Sequence, residues 1–319
     1  MARAAALVLL LIPLAACGRP HRETWFAPNL GSPDTPELFA HPERWSKARS
    51  ATTVFKFYEA ELLAETPEDC PQCGPNLWPR LEAVRALPSL ASWAIKVAVE
   101  VPVIKDGDCG GHAARGQALR VLGRVARGGA PLFSVAMDEP FIGGRTCGLT
   151  TDESARRTAE FVGALQASAK DLEVGDIEAF PALEPVALAR WVLAVRLAGV
   201  RLAFLHLDID RVEARRLGLD IGQQLRPVQF LCDALGIPFG VIVWGQDGSS
   251  EANYYADALG WYREMTGLFG VPDHTVFQSW ATSPGGRLDV PGNLPESDPG
   301  RFTHTRLIRE AVGGGPPGS

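Results

Sequence analysis

The chain has 319 residues, 46% hydrophobic and 21% charged, the balance of a folded globular protein rather than a disordered tract. Its formal net charge is −6 and no basic stripe stands out, which argues against a nucleic-acid surface. That length suits one large barrel or two ordinary domains.

Residues 1–16 read as a leader outside the fold. Arg3 precedes an apolar core over residues 7–14, and Leu14-Ala15-Ala16-Cys17 follows. This resembles a bacterial lipoprotein signal with its lipobox: the apolar run is too short for a membrane span, and small residues precede the cysteine. The resemblance implies cleavage before Cys17, lipid on its thiol and a tethering linker over residues 17–24. The expected location is the bacterial cell envelope, with the protein held to a membrane in the periplasm or at the cell surface. An ordinary secretory signal with a chance cysteine also puts the mature protein outside the cytoplasm.

An oxidising compartment favours disulfides. Cys70, Cys73, Cys109 and Cys147 fall in loops after successive predicted strands, so two bridges among these four are expected. Four cysteines allow three connectivities, and the sequence leaves the pairing open. A four-cysteine zinc site is the rival. Cys232, within Gln229-Phe230-Leu231-Cys232, reads as a buried, inert thiol on a helix.

Strand and helix signals then alternate eight times. Strands are expected over residues 25–28, 53–58, 93–101, 132–137, 174–180, 202–209, 239–244 and 276–280. The intervening helices are expected over 35–49, 76–87, 111–126, 152–169, 185–198, 222–235 and 250–268, with a last one over 302–312. Eight strand–helix units without a linker match the size of a single α/β (β/α)8 barrel over residues 25–312. Residues 313–319, only Gly, Pro and Ser, read as a disordered tail. No GxGxxG follows a strand, so a dinucleotide-binding fold has little support.

Successive strand side chains point to opposite faces. Ile95, Val97, Val99 and Val101 share one face, as do Phe55 and Phe57, and both faces suit packing under the outer helices. Lys56, Tyr58, Lys96 and Glu100 then point into the barrel, as a structural Lys–Glu plug or as the polar floor of a substrate pocket.

The strand ends carry the acids. They are Met137-Asp138-Glu139-Pro140, Asp176-Ile177-Glu178 and His206-Leu207-Asp208-Ile209-Asp210. Barrels of this class place their chemistry at the carboxyl ends of the strands. Asp138-Glu139-Pro140 resembles the Asn-Glu-Pro signature that ends the fourth strand in clan A glycoside hydrolases, with Asp138 in place of the Asn. The resemblance implies that Glu139 is the general acid/base. The clan's nucleophilic Glu at the end of the seventh strand has no match: that strand runs into Trp244-Gly245-Gln246-Asp247, where Asp247 is the available acid. Trp280 matches the aromatic that often ends the eighth strand.

Asp176 and Glu178 share one face, about 7 Å apart from a rise of about 3.3 Å per residue. A glycosidase needs one protonated and one ionised carboxyl about the scissile bond. Crowding several acids raises at least one pKa and creates the acid. The expected catalytic acids are Glu139 and Glu178, with Asp138, Asp208 and Asp210 as alternates. Expected substrate contacts are Tyr58, Lys56, Lys96, Glu100, Asp176, His206, Trp244, Gln246, Asp247, Gln278 and Trp280. The reading is a tethered glycoside hydrolase acting on a polysaccharide or oligosaccharide with no cofactor or metal. The alternatives are a non-catalytic carbohydrate-binding barrel, or a metal-dependent hydrolase or sugar isomerase built on His206, Asp208 and Asp210 together with Asp138 or Glu178.

Overall fold

The computed structural model describes residues 22–105, 107–130, 132–280, 282–283 and 286–313. The expected leader, Cys17 and residues 314–319 of the expected tail lie outside them.

Eight parallel strands close a barrel in sequence order. They are β1 (Glu23–Ala27), β2 (Val54–Tyr58), β3 (Lys96–Pro102), β4 (Leu132–Asp138), β5 (Glu173–Phe180), β6 (Leu205–Ile209), β7 (Phe239–Val243) and β8 (His274–Gln278). β8 pairs back onto β1, with Glu23 level with His274 and Ala27 level with Gln278. A two-stranded antiparallel ribbon, β9 (Thr282–Ser283) with β10 (Gly286–Arg287), follows the eighth strand. The chain is a single (β/α)8 barrel of the α/β class.

The helices are α1 (Thr35–Ala40), α2 (Ser46–Ala51), α3 (Glu59–Leu63), α4 (Trp78–Ala83), α5 (Ala86–Ser92), α6 (His112–Arg127) and α7 (Pro140–Thr146). The rest are α8 (Thr151–Ser168), α9 (Pro185–Leu197), α10 (Arg211–Arg216), α11 (Ile221–Leu235), α12 (Glu251–Phe269) and α13 (His304–Gly313). α6 buries Ala114, Ala118, Val121 and Val125, the one-sided stripe of a helix laid on a sheet. Thr150 starts α8 by accepting the Glu153 N–H, and Asp220 starts α11 by accepting that of Gln223.

Two expected helices are divided. The first breaks around a 3-10 turn that opens at Pro42, and the second breaks at Arg85, whose φ is 55°. None of the described helices is long and apolar enough to cross a membrane.

Two apolar layers share the strands. Phe55, Phe57, Val97, Val99, Val101, Met137 and Leu207 pack outward under the helices. Trp25, Val54, Ala98, Ala136, Ile177, Phe204, Ile242 and Val276 fill the barrel lumen. Two glycines make room for the largest rings there. A Cβ on Gly175 would lie 2.3 Å from the Phe204 ring, and one on Gly240 would lie 2.4 Å from the His206 ring.

Candidate active site

The floor of the mouth is a closed polar network. Lys56 Nζ reaches Glu100 Oε2 and Gln278 Oε1, each at 2.5 Å. Gln278 Nε2 donates to Glu100 Oε2 at 3.0 Å and to the Tyr58 hydroxyl at 3.1 Å. The strand registers explain the meeting: Tyr58 lies level with Glu100, and Lys56 points inward one step below Tyr58. Burial pushes the Tyr58 hydroxyl well above its usual range, and the Glu100 carboxylate adds to the push. Lys56 and Gln278 are almost fully enclosed, so this layer supports the site from beneath.

Above it stands a rim of partly exposed charge. Lys105 Nζ lies 2.9 Å from Asp138 Oδ2 and 3.7 Å from Glu139 Oε2. Partial burial works to lower the Lys105 ammonium, but the Asp138, Glu139 and Glu100 carboxylates together outweigh it and the net direction is upward. Burial raises the Glu139 carboxyl, Asp138 adds to that, and Lys105 opposes it. Glu139 also holds a left-handed backbone, φ 48° and ψ 50°, uncommon for a residue with a Cβ.

Asp208 faces the lumen from β6, half-buried, and accepts the Trp244 indole N–H at 2.8 Å. Burial raises its pKa to about 7, the Trp244 bond opposes this, and the charge on Glu139 contributes. β4 and β6 thus both bring acids to the carboxyl end of the barrel, Asp138 and Asp208 on the inward face and Glu139 just after Asp138. Lys105 was not singled out from the sequence. The available signal was its place in Pro102-Val103-Ile104-Lys105, just past a strand whose last inward charged residue is Glu100.

Several expected site residues lie elsewhere. Asp176 and Glu178 are outward: Asp176 is level with Met137 and Glu178 with Leu207, both members of the outer layer. Asp176 accepts the Trp191 indole N–H of α9 at 2.6 Å, and Glu178 accepts the Phe141 N–H of α7 at 2.7 Å. Both are 0% exposed, so neither reaches the mouth. Burial raises Asp176 to about 8 and lifts Glu178 well above the usual carboxylate range.

Asp210 caps α10 by accepting the Glu213 N–H, and Lys96 sits at the opposite rim on Glu23, 3.9 Å from the Phe133 ring centre. His206 is buried low in the lumen, with Nε2 2.9 Å from His274 Nδ1. The His206–Asp208–Asp210 metal set is therefore corrected. Among the described residues, no group of three or more His, Cys, Asp or Glu side chains is placed to hold a metal ion.

Gln246 uses its amide on the Ile209 carbonyl and the Val212 N–H, and Asp247 accepts the Ser249 hydroxyl. Trp244 is 6% exposed and meets Trp280 edge-on, 5.0 Å between ring centres, so it offers no open face for stacking. The bridges join Cys70 to Cys73 and Cys109 to Cys147. Cys232 is a buried free thiol, pushed up to about 12 by burial. A cavity of about 1060 Å³ adjoins the mouth, lined in part by Asn29, Tyr58, Ser279, Trp280 and Phe302.

No family model and no curated protein matches the chain. Solved barrels do. The chain is similar to Haloferax volcanii malate synthase at 12% identity, covering 95% of this chain and 72% of that one, TM-score 0.52. It is similar to 2,3-dimethylmalate lyase, a PEP mutase/isocitrate lyase superfamily member, at 16% identity, covering 81% and 76%, TM-score 0.42. A likeness to an FMN-binding beta-glucuronidase from Facaelibacterium prausnitzii L2-6 has 8% identity, covers 92% of this chain but 44% of that one, TM-score 0.53. At such identities each likeness shows the fold alone.

The glycoside hydrolase and carbohydrate reading is corrected on the geometry of its preferred acids. Glu178 faces outward, away from Glu139, and β7 runs into Trp244 with no acid at its end.

Proposed function

We propose that the chain is an enzyme of the carbon–carbon lyase class, acting by proton transfer on a small substrate with a hydroxyl group β to a carbonyl. One observation carries the reading: Asp208 faces inward from β6 with its carboxyl raised to about 7, at the same end of the barrel as Glu139, which lies 3.7 Å from the Lys105 ammonium. Efficient acid–base groups titrate near the working pH.

In the ionised form Asp208 takes the proton of the β-hydroxyl. The bond between the α and β carbons breaks, its electron pair passes into an enolate, and an aldehyde or ketone departs. The Lys105 ammonium stabilises the enolate oxygen, and Glu139, protonated, returns a proton to the α carbon. Solvent then carries the proton from Asp208 back to Glu139, which closes the cycle without net change in the protein.

The test is a panel of β-hydroxy carbonyl acids and 2-oxo acids, followed by proton NMR in heavy water. Cleavage, or deuterium entering the α carbon, is the expected result. Asp208→Asn is expected to lower the cleavage rate by about 10²–10⁴-fold. An inert wild-type protein across the panel, or an unimpaired Asp208→Asn variant, overturns the reading.

A further inference from the structure

We propose that Glu178, on the outer face of β5, is a positioning residue for Glu139: from beneath α7 it holds the helix start whose backbone sets the direction of the Glu139 side chain. This rests on Glu139 being the proton donor proposed above.

α7 has no cap of its own, since the Glu139 side chain makes no capping bond and Pro140 carries no N–H. The Phe141 N–H is met from outside by Glu178 Oε1 at 2.7 Å. One residue earlier along β5, the Ile177 carbonyl accepts the Glu139 N–H at 2.9 Å. Two adjacent residues of one strand thus clamp both sides of the left-handed Glu139 backbone. The strain persists because its neighbours over-determine it.

The rest of α7 is keyed just as closely to the loop that bears Lys105. A Cβ on Gly143 would lie 1.7 Å from the Ile104 carbonyl oxygen, so helix and loop meet at backbone distance. At the other end of α7, Cys147 is bridged to Cys109 of the same loop. A shift at the helix start therefore alters both the aim of Glu139 and its approach to Lys105.

Three variants separate positioning from bulk stability. Glu178→Gln keeps an oxygen for the Phe141 N–H, Glu178→Asp withdraws it by one methylene, and Glu178→Leu removes it while keeping bulk. The readout is the titration of the Glu139 carboxyl by carbon NMR, which needs no substrate.

Glu178→Gln is expected to leave that titration as in wild type. Glu178→Asp and Glu178→Leu are expected to move it down towards the ordinary carboxylate range as Glu139 turns to solvent. Where turnover is measurable, kcat falls by about 10²-fold with KM little changed, and Glu178→Gln restores it. If Glu178→Leu does not fold, Glu178→Asp against Glu178→Gln decides. Wild-type titration of Glu139 in folded Glu178→Asp overturns the proposal, as does a shift of equal size in Glu178→Gln. A moved titration in a protein with no turnover at all sustains this inference and removes only the proposed reaction.

Discussion

Acids of the same type occupy the two faces of adjoining strands, and the faces treat them differently. Two inward acids meet cations, Glu100 facing Lys56 across 2.5 Å and Asp138 facing Lys105 across 2.9 Å, while a third, Asp208, meets the Trp244 indole. The outward acids meet only neutral donors, the Trp191 indole for Asp176 and the Phe141 amide for Glu178. Outward, Asp176 Oδ1 and Glu178 Oε2 are buried without a hydrogen-bond partner. A buried carboxyl with no counter-ion keeps its proton, because burial penalises the charge. One set of acids is thereby suited to work on a substrate, and the other to bracing helices.

Removing an inward cation should produce the largest effect. Lys56→Met leaves Glu100 and Gln278 facing an empty position, and is expected to destabilise the fold by about 3–5 kcal/mol. Urea denaturation measures this; a loss below about 1 kcal/mol would mean that the inward acids do not depend on their cations.

The Cys109–Cys147 bridge ties the inward loop of Lys105 to the outward-packed α7 and closes a separation of 38 residues. Cys109→Ala with Cys147→Ala is expected to cost about 2–4 kcal/mol. The Lys105 and Glu139 titrations should move with it, and titrations that stay fixed would show that the two regions are held independently.

The effect that depends most on pH belongs to an outward acid. Asp176 is raised from 3.8 to about 8 in the fold. Its stabilising contribution is therefore full below about pH 4. It is lost as the pH rises through about 8. Asp176→Asn should accordingly gain on wild type in denaturation midpoint as the pH climbs across that window. A constant gap between the two proteins would mean that Asp176 does not hold its proton there, and the contrast between the faces would fail.

Much of this was legible in the chain. Runs such as Lys96-Val97-Ala98-Val99-Glu100 alternate strictly, and the helix at 112–127 carries a one-sided apolar stripe, so strand and helix order follow from local pattern. The parity of β5 was not legible. Asp176 and Glu178 alternate with Gly175, Ile177 and Ala179, and polarity alone aims the acids at the mouth. Register against β4 reverses this: Asp138 faces inward, Ile177 is its partner, and Ile177 therefore shares the lumen. Gly175 reinforces the choice, since only the residue without a side chain fits beside Phe204. The role of Lys105 was equally hidden, because a loop lysine has no period to read.

The order of eight strand–helix units, the outward faces of β2 and β3 and the inward Lys56, Tyr58 and Glu100 were determined by the sequence itself, because period and burial are local properties of a strand. The tertiary structure alone decided which acids face inward, which cysteines pair and which helix start each carboxyl meets. Those depend on the stagger between neighbouring strands, where a displacement of one residue turns every side chain to the opposite face.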